Sequence, residues 1–600
     1  MSARFKRGEY GTSEIYDRFL RYDETPKTIV INDFSGGMQT NEHIRRDKTI
    51  KWILNMETDG AALSSISVPK TVDADISFAD GYVQNSRYAG GVWLFRKGKT
   101  LYAWKNDVFS LVGTQGMLSE EQGEIYDFHQ GFCVIDGETI YLVDHDLNVT
   151  VSEQYIPTCF TGLLRDGLIY TKKEEPNPFC RYFDVILGEE ESGKQTIPAD
   201  WAVDPEFVKV WKPDGTELYF SYYTFDGETL SFSGYSGSNF RVRFRLLDSN
   251  EDKTFSFSNL GKIRDIFAKP RTVIPVSASN DSTMYLTCFG NEVIAMRISQ
   301  KEGFSNISES NLSRLNCFEE VTGLIAYSDG YLVFFENSVK KLLTLENENG
   351  EIVFSLLPFK SDFGSDMPKS ICSFDNKILF ASTKGGIFYI DKFGISEKDA
   401  SRAISANIEN GEYGFFSHSE EEYKKAEGFC AFGKYYLTVG AITYVWDYRA
   451  KLPSGTNNYE DEGKMVWTMT DMIGAEKYLL FLGGKLYFCE RETGNICYLQ
   501  RGRKESDIIT SKVQTQRLDF GTVDKKVITE IGIRYCSSDK LTVRPIFDGE
   551  QDSVVYTLPQ NKSKETVYIR PYGKRISDFA ILLETSGTLC LEALIFRYIC

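Results

Sequence analysis

Short apolar runs alternate along this chain with turns that carry Gly or Asn, and eight strand–turn–strand units can be read. Their turns lie near Gly98, Gly137, Gly167, Gly290, Gly330, Asn376, Gly433 and Gly484. In one unit Leu324-Ile325-Ala326-Tyr327 runs into Ser328-Asp329-Gly330 and continues as Tyr331-Leu332-Val333-Phe334-Phe335. Another runs from Ser370-Ile371-Cys372-Ser373-Phe374 through Asp375-Asn376-Lys377 to Ile378-Leu379-Phe380. Such runs, rich in aromatic and branched residues and bounded by turn formers, suit a pleated, half-buried surface and predict strands. The last four intervals between turns are 40, 46, 57 and 51 residues. A strand-built period of roughly 40–50 residues predicts an all-β fold of the β-propeller type. Eight turns are compatible with six to eight blades.

The rhythm is interrupted in ways that divide the chain. Residues 1–30 are polar and aperiodic and predict an N-terminal arm. Residues 31–175 hold the first part of the propeller, with Val92–Phe95 pairing across Gly98 with Leu101–Trp104, and a hairpin turn at Asp59-Gly60. Residues 176–250 break the period. There Phe207–Trp211 runs into Pro213-Asp214-Gly215, and Arg241-Val242-Arg243-Phe244-Arg245 alternates one apolar with one basic face. This predicts a small inserted β-sandwich. Residues 251–502 resume the repeat, with one helical signal: Ser396–Asp399 precedes Ala400, Ala403, Ile404 and Ile408. Residues 451–464 read as an exposed acidic loop. Residues 503–600 alternate again, at Leu541–Pro545, Phe579–Leu583 and Leu589–Ile595, and predict a C-terminal β-sandwich.

Composition narrows the function classes. Net charge is −17 and the basic residues form no cluster, which argues against a protein that tracks phosphates. The 12 Cys contain no Cys-x-x-Cys pair and mostly sit in apolar strand context, as expected of buried thiols assembled in a reducing cytoplasm. The basic start at Arg4–Arg7 is followed by no apolar stretch, so no secretory signal is expected, and no apolar run reaches the roughly 18–20 residues of a membrane helix.

Candidate chemistry is sparse. The four histidines, His43, His129, His145 and His418, show no metal-binding spacing. His145 lies in Asp144-His145-Asp146-Leu147-Asn148, which lacks the Gly and distal Glu of a calcium loop and reads as a polar turn. There is no nucleophile elbow and no phosphate-binding loop, and Gly36-Gly37 lacks the strand-to-helix context of a phosphate cradle. No sialidase-type Ser-x-Asp-x-Gly-x-x-Trp box occurs. Trp446-Asp447-Tyr448-Arg449 reads as filling between blades rather than as a stacking site. The expectation is therefore a non-enzymatic protein with no catalytic, cofactor or metal residues.

Three stretches, in order, resemble the β-propeller virion proteins of tailed phages. The first is Phe34-Ser35-Gly36-Gly37-Met38, followed by Asn55-Met56-Glu57 and Asp59-Gly60-Ala61-Ala62-Leu63. The family continues Arg-Pro-Gly where this chain has Ser67-Val68-Pro69-Lys70. The second is Gly433–Thr438 with Tyr444–Tyr448 and Trp467, similar to late blades of the group. The third is Leu518-Asp519-Phe520-Gly521, then Lys525-Lys526-Val527 and Ile531-Gly532-Ile533, similar to the opening of the C-terminal sandwich. The insert, with Val208–Trp211 and Asp214-Gly215, looks like the modules of tail nozzle proteins. The resemblance implies a tail nozzle (tail tubular protein B-like) or head-to-tail stabilisation protein, assembled in the host cytoplasm and resident in the virion tail. It implies a hexameric ring below the portal and adaptor, contacting other tail proteins, with genomic DNA passing non-specifically through the lumen. A heterologous interface is needed for such a ring, and the insert, the arm 1–30 and the loop 451–464 are its natural contacts. The alternatives are a virion protein binding host-surface glycans, a cellular propeller scaffold and a propeller-type glycan-cleaving enzyme.

Overall fold

The computed structural model describes residues 25–600 apart from 41–47, 73–80, 120–122, 130, 165–166, 170, 189–193, 236, 248–252, 279–280, 348–351, 361–362, 375–376, 392–400, 450–465, 503–507 and 572. It divides into two compact units, a contiguous one, Asp73–Asp366, and a split one, Met1–Val72 with Met367–Cys600.

The contiguous unit contains four antiparallel sheets of four strands, each a meander in chain order, spanning 83–112, 125–151, 273–316 and 323–360. The turns at Gly98, Gly137, Gly290 and Gly330 fall between paired strands, as in Lys97↔Thr100 and Asp136↔Thr139. Leu94, Leu101 and Ala103 of the first sheet pack with Ile125, Phe132 and Val134 of the second. Leu286 and Val293 of the third pack with Val333 and Leu342 of the fourth. Burial of each of these leucine, isoleucine, valine and phenylalanine side chains stabilises by about 1.5–3 kcal/mol.

The insert is larger than 176–250. Thr158–Leu163 runs parallel to Tyr182–Leu187 and antiparallel to Thr171–Lys172, and the sheet continues through Arg241–Leu246 to Val203–Trp211. The turn at Gly167 therefore belongs to this sheet and not to a repeat unit. A three-stranded sheet (Lys194–Thr196, Thr229–Phe232, Tyr223–Phe225) and a helix, α1 (Phe257–Ala268), complete its core with Phe183, Trp201, Val242, Phe244 and Phe267. In α1 the buried residues 257, 260, 263, 266 and 267 recur at helical spacing inside a stretch that the repeat pattern assigns to strands. Glu138, in the Gly137 turn, accepts hydrogen bonds from Arg181 of the insert at 2.7 and 2.8 Å and from Arg264 of α1.

In the split unit a sheet at 372–403 is followed by four meandering strands at 427–470. Asn376 lies outside the described residues. The helix expected from Ser396 to Ile408 is not formed where it is described: Ser401–Ala403 is a strand paired with Phe388–Ile390. An open sheet edge offers a full ladder of hydrogen bonds, which outweighs a weak local helix preference. A five-residue helix, α2 (Glu420–Lys424), carries the capping box Ser419/Glu422. A further sheet takes Ala475–Leu482, Lys485–Glu490 and Ile496–Gln500 from late in the chain and its fourth strand, Lys70–Thr71, from early in it.

The C-terminal residues contribute strands to two sheets, together with strands from the other end of the chain. Leu589–Ile599 pairs with Lys526–Ser537, with Ala62–Ser65 and with Lys27–Ile31. Residues 27–30 are thus a strand rather than part of an arm, while residues 1–24 lie outside the described residues. The hairpin at Asp59-Gly60 is present, with Asp59↔Ala62. The second sheet has ten strands: Trp52–Leu54 joins the meander 427–470 on one side to Ser511–Gln514, Phe579–Thr585 and Leu541–Phe547 on the other. Leu591, Phe596 and Ile533 of one sheet share a core with Val543, Ile581 and Leu583 of the other.

Candidate functional site

Among the described residues no group of three or more His, Cys, Asp or Glu is placed to hold a metal ion. His43 lies outside them. His129 and His145 line one open cleft of about 660 Å³ in the contiguous unit, with Asp127, Phe128, Pro275 and Thr283. Asp127 is held by Arg87 at 2.8 Å. In the turn beside it Asp144 accepts from the amides of Asp146 and Asn148, each at 2.9 Å, and from Asn148 Nδ2. These bonds hold the Asp144 carboxyl below its usual range, the Asn148 side chain first among them. The segment is the polar turn its sequence suggests.

His418, in the split unit, has Nε2 2.8 Å from Tyr444 Oη and Nδ1 3.6 Å from Glu422. Burial lowers its pKa from 6.5, against the opposing pull of Glu422. A histidine lowered on folding binds fewer protons in the native state, so its stabilising term is complete above pH 6.5 and is lost as pH falls through the folded value. The thermal midpoint of wild-type protein is expected to fall more steeply below pH 6.5 than that of a His418→Gln variant. Parallel pH profiles would remove His418 from the account.

The basic stripe of the insert is not free to bind phosphate. Arg243 makes two bonds to Asp184, at 2.8 and 3.0 Å, and Arg241 lies 3.8 Å from the same carboxylate. Arg245 pairs with Asp204 through Nε at 2.7 Å. Burial alone would raise the Asp204 carboxyl; the Glu206 amide and Arg245 outweigh it and hold it low. Trp211 packs against the guanidiniums of Arg241 and Arg243, and Phe207 against that of Arg245. Two carboxylates and two aromatic faces thus occupy three arginines.

At the end of this face the chain turns at Lys212–Thr216, closed by Gly215 N–H to Lys212 O and Lys212 N–H to Thr216 O. Leu218 is buried, but Tyr219 and Phe220 are 75% and 81% exposed, at a single 3₁₀ turn (Phe220–Tyr222). Two adjacent large aromatics held in water by ordered backbone are unusual. The signal in sequence is the run Leu218-Tyr219-Phe220-Ser221-Tyr222-Tyr223, which has too little polar alternation for a half-buried strand.

The three motif stretches lie in the split unit and contribute to one hydrophobic core. Gly36 and Gly37 lie where a Cβ would meet backbone: 2.7 Å from Lys48 O for the first and 2.7 Å from Trp467 O for the second, which also has φ +65°. This close approach lets Met38 N–H bond Trp467 O at 2.8 Å. Asn55, at φ 61° and fully buried, donates to Asp471 Oδ1 and Thr510 O and accepts from Thr470 Oγ1 and the Asp471 amide. It thereby ties Trp52–Leu54 to both neighbouring strands. Trp446 is buried and stacked on Tyr389 of the preceding sheet, with centroids 5.9 Å apart, as expected of filling between sheets. Lys526 is wholly buried and donates to the carbonyls of Asp519, Thr522 and Ser577. The loop 451–464 lies outside the described residues.

These features define a mostly-β protein of repeated four-stranded antiparallel sheets. No family model matches the sequence, and no curated protein matches it. Solved structures similar to it in strand arrangement include the Neurospora crassa Pan2 WD40 domain, at 6% identity and TM-score 0.33, covering 75% of this chain and 98% of that one. A computationally designed protein, Ika8, is similar at 9% identity and TM-score 0.30, covering 71% and 98%. The exo-beta-1,3-galactanase of Phanerochaete chrysosporium is similar at 8% identity and TM-score 0.21, covering 89% and 99%.

Proposed function

We propose that this chain is a structural virion protein of a tailed bacteriophage, forming a hexameric tail nozzle or hub ring below the portal and adaptor. The four-stranded sheets within each unit are then propeller blades, and Lys70–Thr71 completes the blade of residues 475–500. The observation that carries the reading is the exposed pair Tyr219 and Phe220, which stand in water at a 3₁₀ turn of the insert. Aromatic anchors of this kind dominate interface energetics. An exposed patch of one copy seated on a different surface of the next is the heterologous contact from which closed rings are built. A lumen that passes a polyanion gains from few free cations. The net charge of −17 and the carboxylate-paired arginine stripe are compatible with that.

Negative-stain microscopy of the purified chain, alone and with a portal–adaptor complex, tests the reading. Six-fold rings in either sample support it, and monomers in both overturn it. A Tyr219→Ser/Phe220→Asp variant is expected to weaken assembly by about 100-fold or more in mass photometry. At concentrations where both proteins are monomeric its thermal midpoint is expected to stay within about 1 °C of wild type, because neither side chain is packed within the chain.

The same exposed aromatics favour a second reading, a virion protein that binds host-surface glycans by stacking. A glycan array without hits removes it. Inactivity on bacterial wall and capsule polysaccharides removes a glycan-cleaving enzyme.

A further inference from the structure

Cys372 and Cys430 stand on the first strands, Cys372–Phe374 and Glu427–Ala431, of two successive sheets of the split unit. Their Sγ atoms are 3.2 Å apart across 58 residues of chain. A disulfide is about 2.05 Å long, so bond formation needs an approach of only about 1.2 Å. The surroundings fix the two strands. Cys430 lies opposite Tyr435, whose hydroxyl donates to Ser370 O at 2.9 Å, two residues before Cys372. Phe374, on the same strand as Cys372, packs on Tyr448, next to the strand Ile442–Asp447 of the following sheet, with centroids 4.3 Å apart. All twelve cysteines are free thiols, and seven of them are buried as small hydrophobes. Cys536 and Cys590 face each other in register on neighbouring strands of the C-terminal region and form a natural internal comparison.

We propose that Cys372 and Cys430 form a dithiol oxidation site, which takes up a peroxide or a small-molecule disulfide and closes to a bond stapling the two sheets. With oxidised glutathione, one cysteine thiolate attacks a glutathione sulfur and expels the first glutathione thiolate. The second cysteine sulfur then attacks the mixed disulfide and expels the other. The protein loses two hydrogens, and two reduced glutathiones leave. With hydrogen peroxide the first sulfur becomes a sulfenic acid with release of water, and the second displaces another water from it. Burial and the neighbouring sulfur push the Cys372 thiol up, so the closure is slow at neutral pH. The chain assembles reduced and is stapled afterwards, when an oxidant reaches it.

The test compares full-length protein kept reduced with protein equilibrated in oxidised glutathione or in hydrogen peroxide. Remaining thiols are blocked with an alkylating reagent before digestion and mass spectrometry. The expected product is a Cys372–Cys430 linked peptide pair, two hydrogens lighter than the reduced peptides. It comes with a thermal midpoint raised by roughly 5 °C, which a Cys372→Ser/Cys430→Ser variant does not gain. Alkylation of both cysteines after oxidation overturns the proposal, whether or not Cys536 and Cys590 have linked. A rise in midpoint that survives in the double variant overturns the staple as its cause. Should the double variant fail to fold, the wild-type peptide map decides alone.

Discussion

A Gly37→Val variant is expected to melt roughly 6 °C or more below wild type in the transition of the split unit. Two costs combine. The backbone has φ +65°, a region where a branched side chain is strained, and the new Cβ would lie 2.7 Å from Trp467 O and 2.9 Å from Trp467 N. Backbone cannot swing aside as a long side chain can. The strain and the lost Met38–Trp467 hydrogen bond together come to about 4 kcal/mol. Over about 300 residues that converts to roughly the stated shift. Gly60 supplies the control: its φ is +62°, but nothing lies within 4 Å of a Cβ there. Gly60→Ala should therefore cost only the conformational part, about 1–2 kcal/mol. Equal losses for Gly37→Ala and Gly60→Ala in calorimetry would refute the close approach.

The second large effect belongs to the contiguous unit. Arg96 and Asp136 are both fully buried and pair at 3.0 Å between adjacent sheets. The other Asp136 oxygen accepts from Ser119 N at 2.6 Å and Ser119 Oγ at 2.8 Å. Asp136→Ala strands a guanidinium in the interior and is expected to cost about 3–5 kcal/mol in urea unfolding. Replacing both partners, as Arg96→Met/Asp136→Leu, removes the stranded charge, and the double variant should recover most of that loss. If the two single losses simply add in the double variant, the pair is not acting as a pair.

Local sequence announces whatever is settled within a few residues. The glycine turns at 98, 137, 290, 330, 433 and 484 each sit between strands that pair, and the period-2 pattern at 241–245 buries Val242 and Phe244 as read. Long-range pairing is silent by comparison. Trp52–Leu54 is only three residues long, and its neighbours lie more than 400 residues away, so nothing near it marks it as the bridge within a ten-stranded sheet. The strand at 401–403 looks helical because its partner edge is invisible in sequence. The stripe at 241–245 reads as basic because Asp184 and Asp204, which neutralise it, come from other strands. Tyr219 and Phe220 escape notice for the opposite reason: aromatic runs normally mean burial, and here the chain turns before they can reach a core.

The strands near the start of the chain set a timetable for biogenesis. Lys27–Ile31, Trp52–Leu54 and Lys70–Thr71 find their strand partners among residues 467–599, and the hairpin ending in Ala62–Ser65 finds its outer partner there too. Asp73–Asp366 is a compact unit contiguous in sequence. At roughly 5–20 residues per second, a ribosome leaves the early strands waiting for about half a minute to two minutes after they emerge. During that interval their unpaired edges are exposed, while the contiguous unit has all of its residues synthesised and is expected to fold first. Pairing of Lys27–Ile31 must follow synthesis of residues 594–598, so a nascent chain stalled before residue 589 should be protease-resistant at 73–366 and cleavable at 27–72.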